Sequence, residues 1–170
     1  MRKILRPPEL VDDAWRYAGE TDSAEAGSGT AGTIVPVAEF LANPAAFSGS
    51  ASGGKAGVRV SPADKVEDLA PHLANIALVA VEFPSIAEGR GYSFARLLRQ
   101  RYGFQGEIRA VGPAVKRDLL LAMARNGFDS FDLAPGQSLE QALAGLATFS
   151  FATQAGVPVK GVDIARYAAG

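Results

Sequence analysis

A chain of 170 residues is long enough to bury one continuous core without staples. Its 48% hydrophobic and 21% charged content is that of a folded domain rather than a disordered one. Seventeen basic against eighteen acidic residues leave a net charge of -1, so neither nucleic acid nor an anionic membrane is favoured as a partner. Cysteine is absent, which excludes disulfides, thiolate nucleophiles, CxxC redox pairs and cysteine-held clusters.

The start, Met1 to Pro8, is basic but runs into Glu9 and Asp12-Asp13 instead of an apolar signal core. The longest apolar runs, such as Ile76 to Val81, fall far below the roughly 20 residues that span a bilayer. A soluble, cytoplasmic protein is expected. Residues 1–32 read as an extended polar arm, with Trp15 and Tyr17 alternating with Arg16, followed by a flexible Gly/Ala/Ser-rich loop from Ala24 to Gly32. Residues 33–150 read as one α/β domain and 151–170 as a tail without a clear assignment.

From Thr33 a short apolar strand, a helical segment and a Gly or Asn-Pro stop repeat, the pattern of a parallel sheet. Thr33-Ile34-Val35 leads to a helix with Phe40 and Leu41 that stops at Asn43-Pro44, and Ser48 to Gly54 forms a crossing loop. Gly57 to Val60 leads to Ser61-Pro62-Ala63-Asp64, a cap, first-turn proline and dipole-favoured acid in sequence; the helix after it should bury Val66, Leu69 and Leu73. Ile76 to Val81 is uninterrupted enough to be the central strand. A helix from about Ser93 carries Phe94, Leu97, Leu98 and Tyr102 and ends at Gly103 as a left-handed cap. Glu107 to Val111 is the fourth strand, followed by a helix with Leu119, Leu120 and Met123 closing at Asn126-Gly127. Phe128 to Leu133 is the fifth, and Ser138 to Gln141 has capping-box spacing for the last helix. These units predict a mostly parallel five-stranded sheet with flanking helices, a Rossmann-like or flavodoxin-like sandwich. A partial βα barrel uses the same repeats and stays open as the alternative.

Between Asp64 and Leu133 the order and spacing of Val66-Glu67-Asp68-Leu69-Ala70-Pro71, Val81-Glu82-Phe83-Pro84, Gly89-Arg90-Gly91-Tyr92-Ser93, Leu97-Leu98-Arg99, Arg109-Ala110-Val111-Gly112 and Asn126-Gly127-Phe128-Asp129 resemble the bacterial family of domain of unknown function 934. Trp15-Arg16-Tyr17 and Ile34-Val35-Pro36 extend the likeness more loosely. The segment Pro113 to Leu119 departs from the family pattern, which there ends in an Asp-Gln pair. The resemblance implies a link to assimilatory sulfate or sulfite reduction and a description as oxidoreductase, with a sulfite reductase subunit as a partner. It brings no catalytic residues with it.

Charges inside a parallel strand are costly unless paired or facing a polar cavity, which singles out Arg59, Glu82 and Arg109. Ligands bind beyond the carboxyl ends of such strands, so Arg59, Arg90 and Arg109 are expected to hold a small oxyanion through their two-pronged donors. Glu82 and Tyr92 are the catalytic candidates, to orient it or handle protons. The structural reading of Arg59 and Arg109 is pairing with nearby carboxylates. Gly89 to Ser93 invites a phosphate-loop reading at a helix start, but lacks the P-loop lysine and the dinucleotide fingerprint; a turn with Ser93 as cap is the alternative. His72, the sole histidine, has no nucleophile motif. With one histidine and no cysteine, no metal site is expected, and no motif encodes a cofactor.

Arg96, Arg99, Arg101, Lys116, Arg117 and Arg125 fall on two adjacent predicted helices, either a docking face or a solvated one. Two functions therefore stand side by side: a small-oxyanion-binding accessory or oxidoreductase component of sulfite reduction, and a non-catalytic interaction protein docking on a reductase subunit through those helices or the N-terminal arm.

Overall fold

A computed structural model describes residues 2–19, 32–47 and 55–148. The stretches 20–31, 48–54 and 149–170 lie outside the described residues, and with them the Ala24 loop, apart from Gly32, the Ser48 loop and the C-terminal tail. The strands in chain order are β1 (Lys3–Arg6), β2 (Glu9–Asp12), β3 (Trp15–Tyr17), β4 (Gly32–Pro36), β5 (Ala56–Val60), β6 (Ile76–Glu82), β7 (Glu107–Val111) and β8 (Ser130–Phe131). The helices are α1 (Val37–Ala42), α2 (Arg90–Arg96), α3 (Leu120–Arg125) and α4 (Leu139–Thr148).

All eight strands join one sheet in the order β2-β1-β8-β7-β6-β5-β4-β3. Neighbours from β3 through β8 are parallel, while β1 pairs antiparallel with both β2 and β8. This corrects the expected Rossmann-like or flavodoxin-like layer of five mostly parallel strands. The sheet has eight strands, is mixed, and curls into a half-barrel. Residues 3–17, read from sequence as an arm, supply three of the strands.

The strand order explains the curl. A doubly wound sheet reverses direction at a switch point and so gains helices on both faces. Here β3 to β8 succeed one another without reversal, and right-handed crossovers then put every connecting helix on the same face. The opposite face must cover itself. A second constraint is the link between β2 and β3, which occupy opposite edges of the sheet yet are separated by only Asp13 and Ala14. A flat sheet would hold those edges about 34 Å apart, at about 4.8 Å per strand, whereas Asp12 to Trp15 can reach about 11 Å. The two edges are therefore drawn toward each other.

The helix-covered face holds the main core. Val35, Val58, Val60, Val79, Val81, Ile108, Ala110 and Phe131 point into it from the strands and meet Phe40, Leu69, Phe94, Leu98, Leu120, Met123 and Phe128. The inner face carries a smaller cluster of Tyr17, Ile34, Leu78, Ala80 and Val111, with Trp15 packed against it. Gly57 is the residue that lets Trp15 lie down there, since a Cβ would come within 2.8 Å of the indole.

Local signals resolve in detail. The Ser61–Asp64 turn forms as its sequence suggests, with Asp64 Oδ2 accepting from the Ser61 N–H at 2.7 Å and the Ser61 hydroxyl at 2.8 Å. The next element, Val66–Asn75, is a 3-10 segment rather than an α-helix. Pro71 lies inside it and cannot donate the main-chain bond an α-helix needs. Helix α2 begins at Arg90, three residues before the expected start, so Ser93 sits within the helix and does not cap it. The chain continues as a π-turn, Leu97–Arg101, and ends at Tyr102, with Gly103 at φ 63°.

Candidate functional site

Strand register decides which of the singled-out charges meet. Pro36, Arg59, Ala80, Arg109 and Ser130 form one row across β4 to β8. Ile34, Gly57, Leu78 and Glu107 form the row two residues earlier. Side chains alternate along a strand, so Arg59, Glu82, Glu107, Arg109 and Ser130 all face the inside of the half-barrel. Arg59 and Arg109 are two strands apart, about 10 Å by strand spacing.

Their environments differ sharply. Arg109 is 1% exposed and both prongs of its guanidinium are occupied. Nε and Nη2 donate to Glu107 Oε1 at 3.1 and 3.0 Å, and Nη1 donates to Asp13 Oδ1 and Oδ2 at 2.9 and 3.0 Å. Burial works against its charge, but Glu107 and then Asp13 outweigh that and hold its pKa above the ordinary value. Glu107 also accepts a short hydrogen bond from the Ser130 hydroxyl and lies 3.9 Å from Arg6. Asp13 is shared with Arg2, whose Nη2 is 3.0 Å from Asp13 Oδ2 and 2.8 Å from Asp132 Oδ2. The ion-pair cluster around Arg109 thus holds three guanidinium groups and three carboxylates, Arg2, Arg6 and Arg109 against Asp13, Glu107 and Asp132. That balance is what allows ions to be buried.

Tyr17 completes the cluster. Its ring lies under the Arg2 guanidinium, 5.1 Å from ring centroid to Arg2 Cζ, and its buried hydroxyl makes no well-aligned hydrogen bond among the described residues, its one side-chain hydrogen-bond interaction being with that same guanidinium. Burial, helped by Asp132 and opposed by Arg109 and Arg2, pushes the phenol up to about 12.

Arg59 is exposed and makes no hydrogen bond or ion pair among the described residues, and Glu82 beside it is half-buried and likewise unbonded. Arg90 lies in the first turn of α2, where its Nη1 donates to the Pro62 carbonyl at 2.9 Å and its N–H to Glu88 Oε1 at 3.1 Å. Tyr92 stands on the helix-covered side, edge-on to Phe83 with ring centroids 5.2 Å apart, and burial raises its pKa. Register therefore brings Arg59, Glu82 and Arg109 to one face, while Tyr92 belongs to the opposite one. His72 lies edge-on to Phe40 at 5.8 Å, a packing contact.

The expected basic helix face divides. Arg99 is not a surface residue: it donates to the carbonyls of Phe104, Gly106 and Gly127 at 2.6, 2.8 and 3.2 Å and pairs with Asp129. Because both connecting helices run back along parallel strands, Lys116 and Arg117 share an end of the sheet with Arg90, whereas Arg101 shares the other end with Arg125.

Sequence reasoning missed Asp13, Tyr17, Ser130, Asp132 and Arg2. The Glu107-x-Arg109 spacing in a strand was a readable signal of two charges on one face. Asp13 lies 96 residues from its arginine, a separation that carries no local signal. Among the described residues no group of three or more His, Cys, Asp or Glu could hold a metal ion, and no helix is long and apolar enough to cross a membrane.

Fold and site define a class: an α/β half-barrel whose inner face is closed by a charge-balanced polar cluster. The chain belongs to the family described as bacterial protein of unknown function (DUF934), whose model matches residues 57–160. The match takes in Arg59, Glu82, Arg99, Glu107, Arg109, Asp129 and Ser130, and leaves Arg2, Asp13 and Tyr17 outside. No curated protein matches the chain.

Proposed function

We infer that the chain is a non-catalytic interaction protein that docks on a subunit of a sulfite reductase. The observation carrying this reading is that the buried inner-face charges are consumed by one another, with both prongs of Arg109 held by Asp13 and Glu107. A cluster closed in this way holds a shape rather than leaving a cation open for chemistry. What the chain offers outward is contact surface. Ile86 is 63% exposed on the loop between β6 and α2, the one large hydrophobic residue so placed among those described, with exposed Pro84 and Arg90 near it. Arginine is one of the residues enriched at contact hot spots, and an exposed large apolar side chain gains from being covered. Exposed Arg96, at the end of α2, and exposed Arg101, at the end of the π-turn that follows it, add a charged margin. The choice of partner comes from the family resemblance.

Purified sulfite reductase subunits, immobilised and offered the chain, test this reading. Ile86→Glu is expected to weaken binding at least about tenfold, and Arg96→Glu with Arg101→Glu to slow association and steepen its response to salt. Arg99 is left intact because it braces the fold. No binding to any subunit, or binding that both variants leave unchanged, rejects it.

A second reading is favoured by Arg59 and Glu82, neighbours on the inner face that bond neither each other nor anything else among the described residues. It makes the chain an oxyanion-binding accessory, with Arg59 and Arg90 as donors toward the ligand and Glu82 to orient it; Tyr92, on the opposite face, takes no part. Arg109 would then contribute charge from beneath. Calorimetric titration with sulfite, sulfate and phosphate should give heat that Arg59→Ala removes; no heat with any of the three ends this version.

A further inference from the structure

Two charged side chains at the carboxyl end of the sheet bond to nothing around them. Arg59 on β5 is exposed and Glu82 on β6 is half-buried, and neither makes a hydrogen bond or ion pair among the described residues. Arg59 is in register with Ala80, so Glu82 stands one side-chain row further along the neighbouring strand and on the same face, its Cα about 8 Å from that of Arg59 by strand spacing and rise. A half-buried carboxylate has given up part of its hydration and gained no bond in return, a state that costs free energy and calls for an explanation. The carboxyl ends of parallel strands are also where sheets of βα units hold their ligands. This place is open to solvent, because Arg59 itself is exposed. It is shallow, because Ala80 beside Arg59 and Val111 beside Glu82 are both buried.

Charge selects the ligand. A bare oxyanion on Arg59 would stand beside the like charge of Glu82, and a simple amine on Glu82 beside that of Arg59; both juxtapositions are unfavourable. A molecule carrying both charges turns each repulsion into a bond. In a free α-amino acid the N–Cα, Cα–C and C–O bonds hold the ammonium nitrogen within about 3 Å of the carboxylate oxygens, so that with a hydrogen bond of about 2.9 Å at each end it spans the gap between side chains on neighbouring strands. We propose that Arg59 and Glu82 form a binding site for the zwitterionic head group of a free amino acid. The Arg59 guanidinium donates to its carboxylate and the Glu82 carboxylate accepts from its ammonium group. Pair and head group are each neutral, so binding adds no net charge to the half-barrel, and Arg109 keeps both prongs on Glu107 and Asp13. The inference rests on the second reading above for the place of the ligand and departs from it in the ligand's class.

Chemical-shift titration of the isotope-labelled full chain, followed at the amides of β5 and β6, provides the test, with glycine and alanine set beside acetate, methylammonium and sulfate at equal ionic strength. The two amino acids are expected to bind at least about tenfold more tightly than acetate or methylammonium, each of which offers only one of the two charge-assisted bonds. Arg59→Gln and Glu82→Gln should each weaken glycine binding at least about tenfold, and Glu82→Gln should at the same time strengthen the binding of sulfate. Because neither side chain has a partner in the free protein, both variants should melt at the Tm of the unmodified chain; a lower Tm in either means that the charges are already engaged, and overturns the proposal. Shifts with sulfate but not with glycine overturn it and leave the second reading standing. Shifts with glycine but not with sulfate support it and remove the oxyanion. No shifts with either end both, and glycine binding that Glu82→Gln leaves unchanged overturns the proposal alone.

Discussion

The two faces of the curled sheet are both buried, but by different means. On the helix-covered face Phe83, Phe128, Leu98, Leu120 and Met123 interlock with the strands, and stability there comes from apolar area removed from water. On the inner face a small apolar cluster around Leu78 and Ala80 is flanked by the Asp13–Arg109–Glu107 group, where favourable pairing roughly cancels the loss of hydration. The first face is built of crossover units close in sequence. The second is sealed by residues 2–17 folding across strands made a hundred positions later. One face supplies stability and the other, at little net gain, fixes where the N-terminal segment lies.

Substitutions separate these contributions. The largest effect expected is on the inner face: Arg109→Met leaves Asp13 and Glu107 buried with their shared cation gone, at a cost of about 3–5 kcal/mol in urea unfolding, and neutralising Asp13 as well should recover part of it. If Arg109→Met is as stable as the unmodified chain, the inner cluster is solvated and the contrast between the faces fails. Phe83→Ala probes the other face and should cost about 3–5 kcal/mol, because Phe83 contacts Tyr92 and Phe128. Unlike the loss at Arg109, this loss should not be relieved by a second substitution of a charged residue. A smaller penalty, about 1–3 kcal/mol, is expected for Gly112→Ala. Gly112 holds φ at 112°, and a Cβ would stand 2.7 Å from the Phe83 carbonyl oxygen.

The smallest effect carries the most information. Tyr17→Phe removes a buried hydroxyl that makes no well-aligned hydrogen bond among the described residues and should change stability at pH 7 by no more than about 1 kcal/mol. Its pH dependence has a definite sign. The folded phenol titrates near 12 against 10.0 for a free one, so the stability associated with the protonated form is fully present below pH 10 and is lost as pH rises toward 12. Stability curves of the unmodified chain should fall in that window and those of Tyr17→Phe should fall less; identical curves would place the hydroxyl in solvent.

Legibility from sequence divides along the same line. Ile76 to Val81, Glu107 to Val111 and the Asn126-Gly127 stop are local patterns, and they mark β6, β7 and the end of α3. The Asn-Pro stop after α1 is another. The hairpin of β1 and β2 was not readable, because Lys3 to Arg6 and Glu9 to Asp12 are four-residue strands whose charged ends pair with each other, Lys3 opposite Asp12 and Arg6 opposite Glu9, and hide any apolar alternation. The sheet order was not readable either: five βα units suit a doubly wound layer and a curled one equally, and the link through Asp13 and Ala14 decides between them only once its two flanking strands are known. At the site, the shared face of Arg59, Glu82 and Arg109 can be read from strand period alone. The partner of Arg109 cannot, since Asp13 reaches it through the curl.

The pairing of Leu5 with Phe131 also orders events during synthesis. Among the described strands the earliest, β1, has its sheet neighbour in the latest, β8, so β1 and β2 must wait through the synthesis of well over a hundred residues, several seconds at about 5–20 residues per second, before their place exists. The parallel units between them can form pairwise as they emerge. Of the described elements the β1–β2 hairpin is therefore the last to find its place, and a truncation removing β8 would strand the hairpin as surely as deleting the hairpin would leave β8 with an open edge.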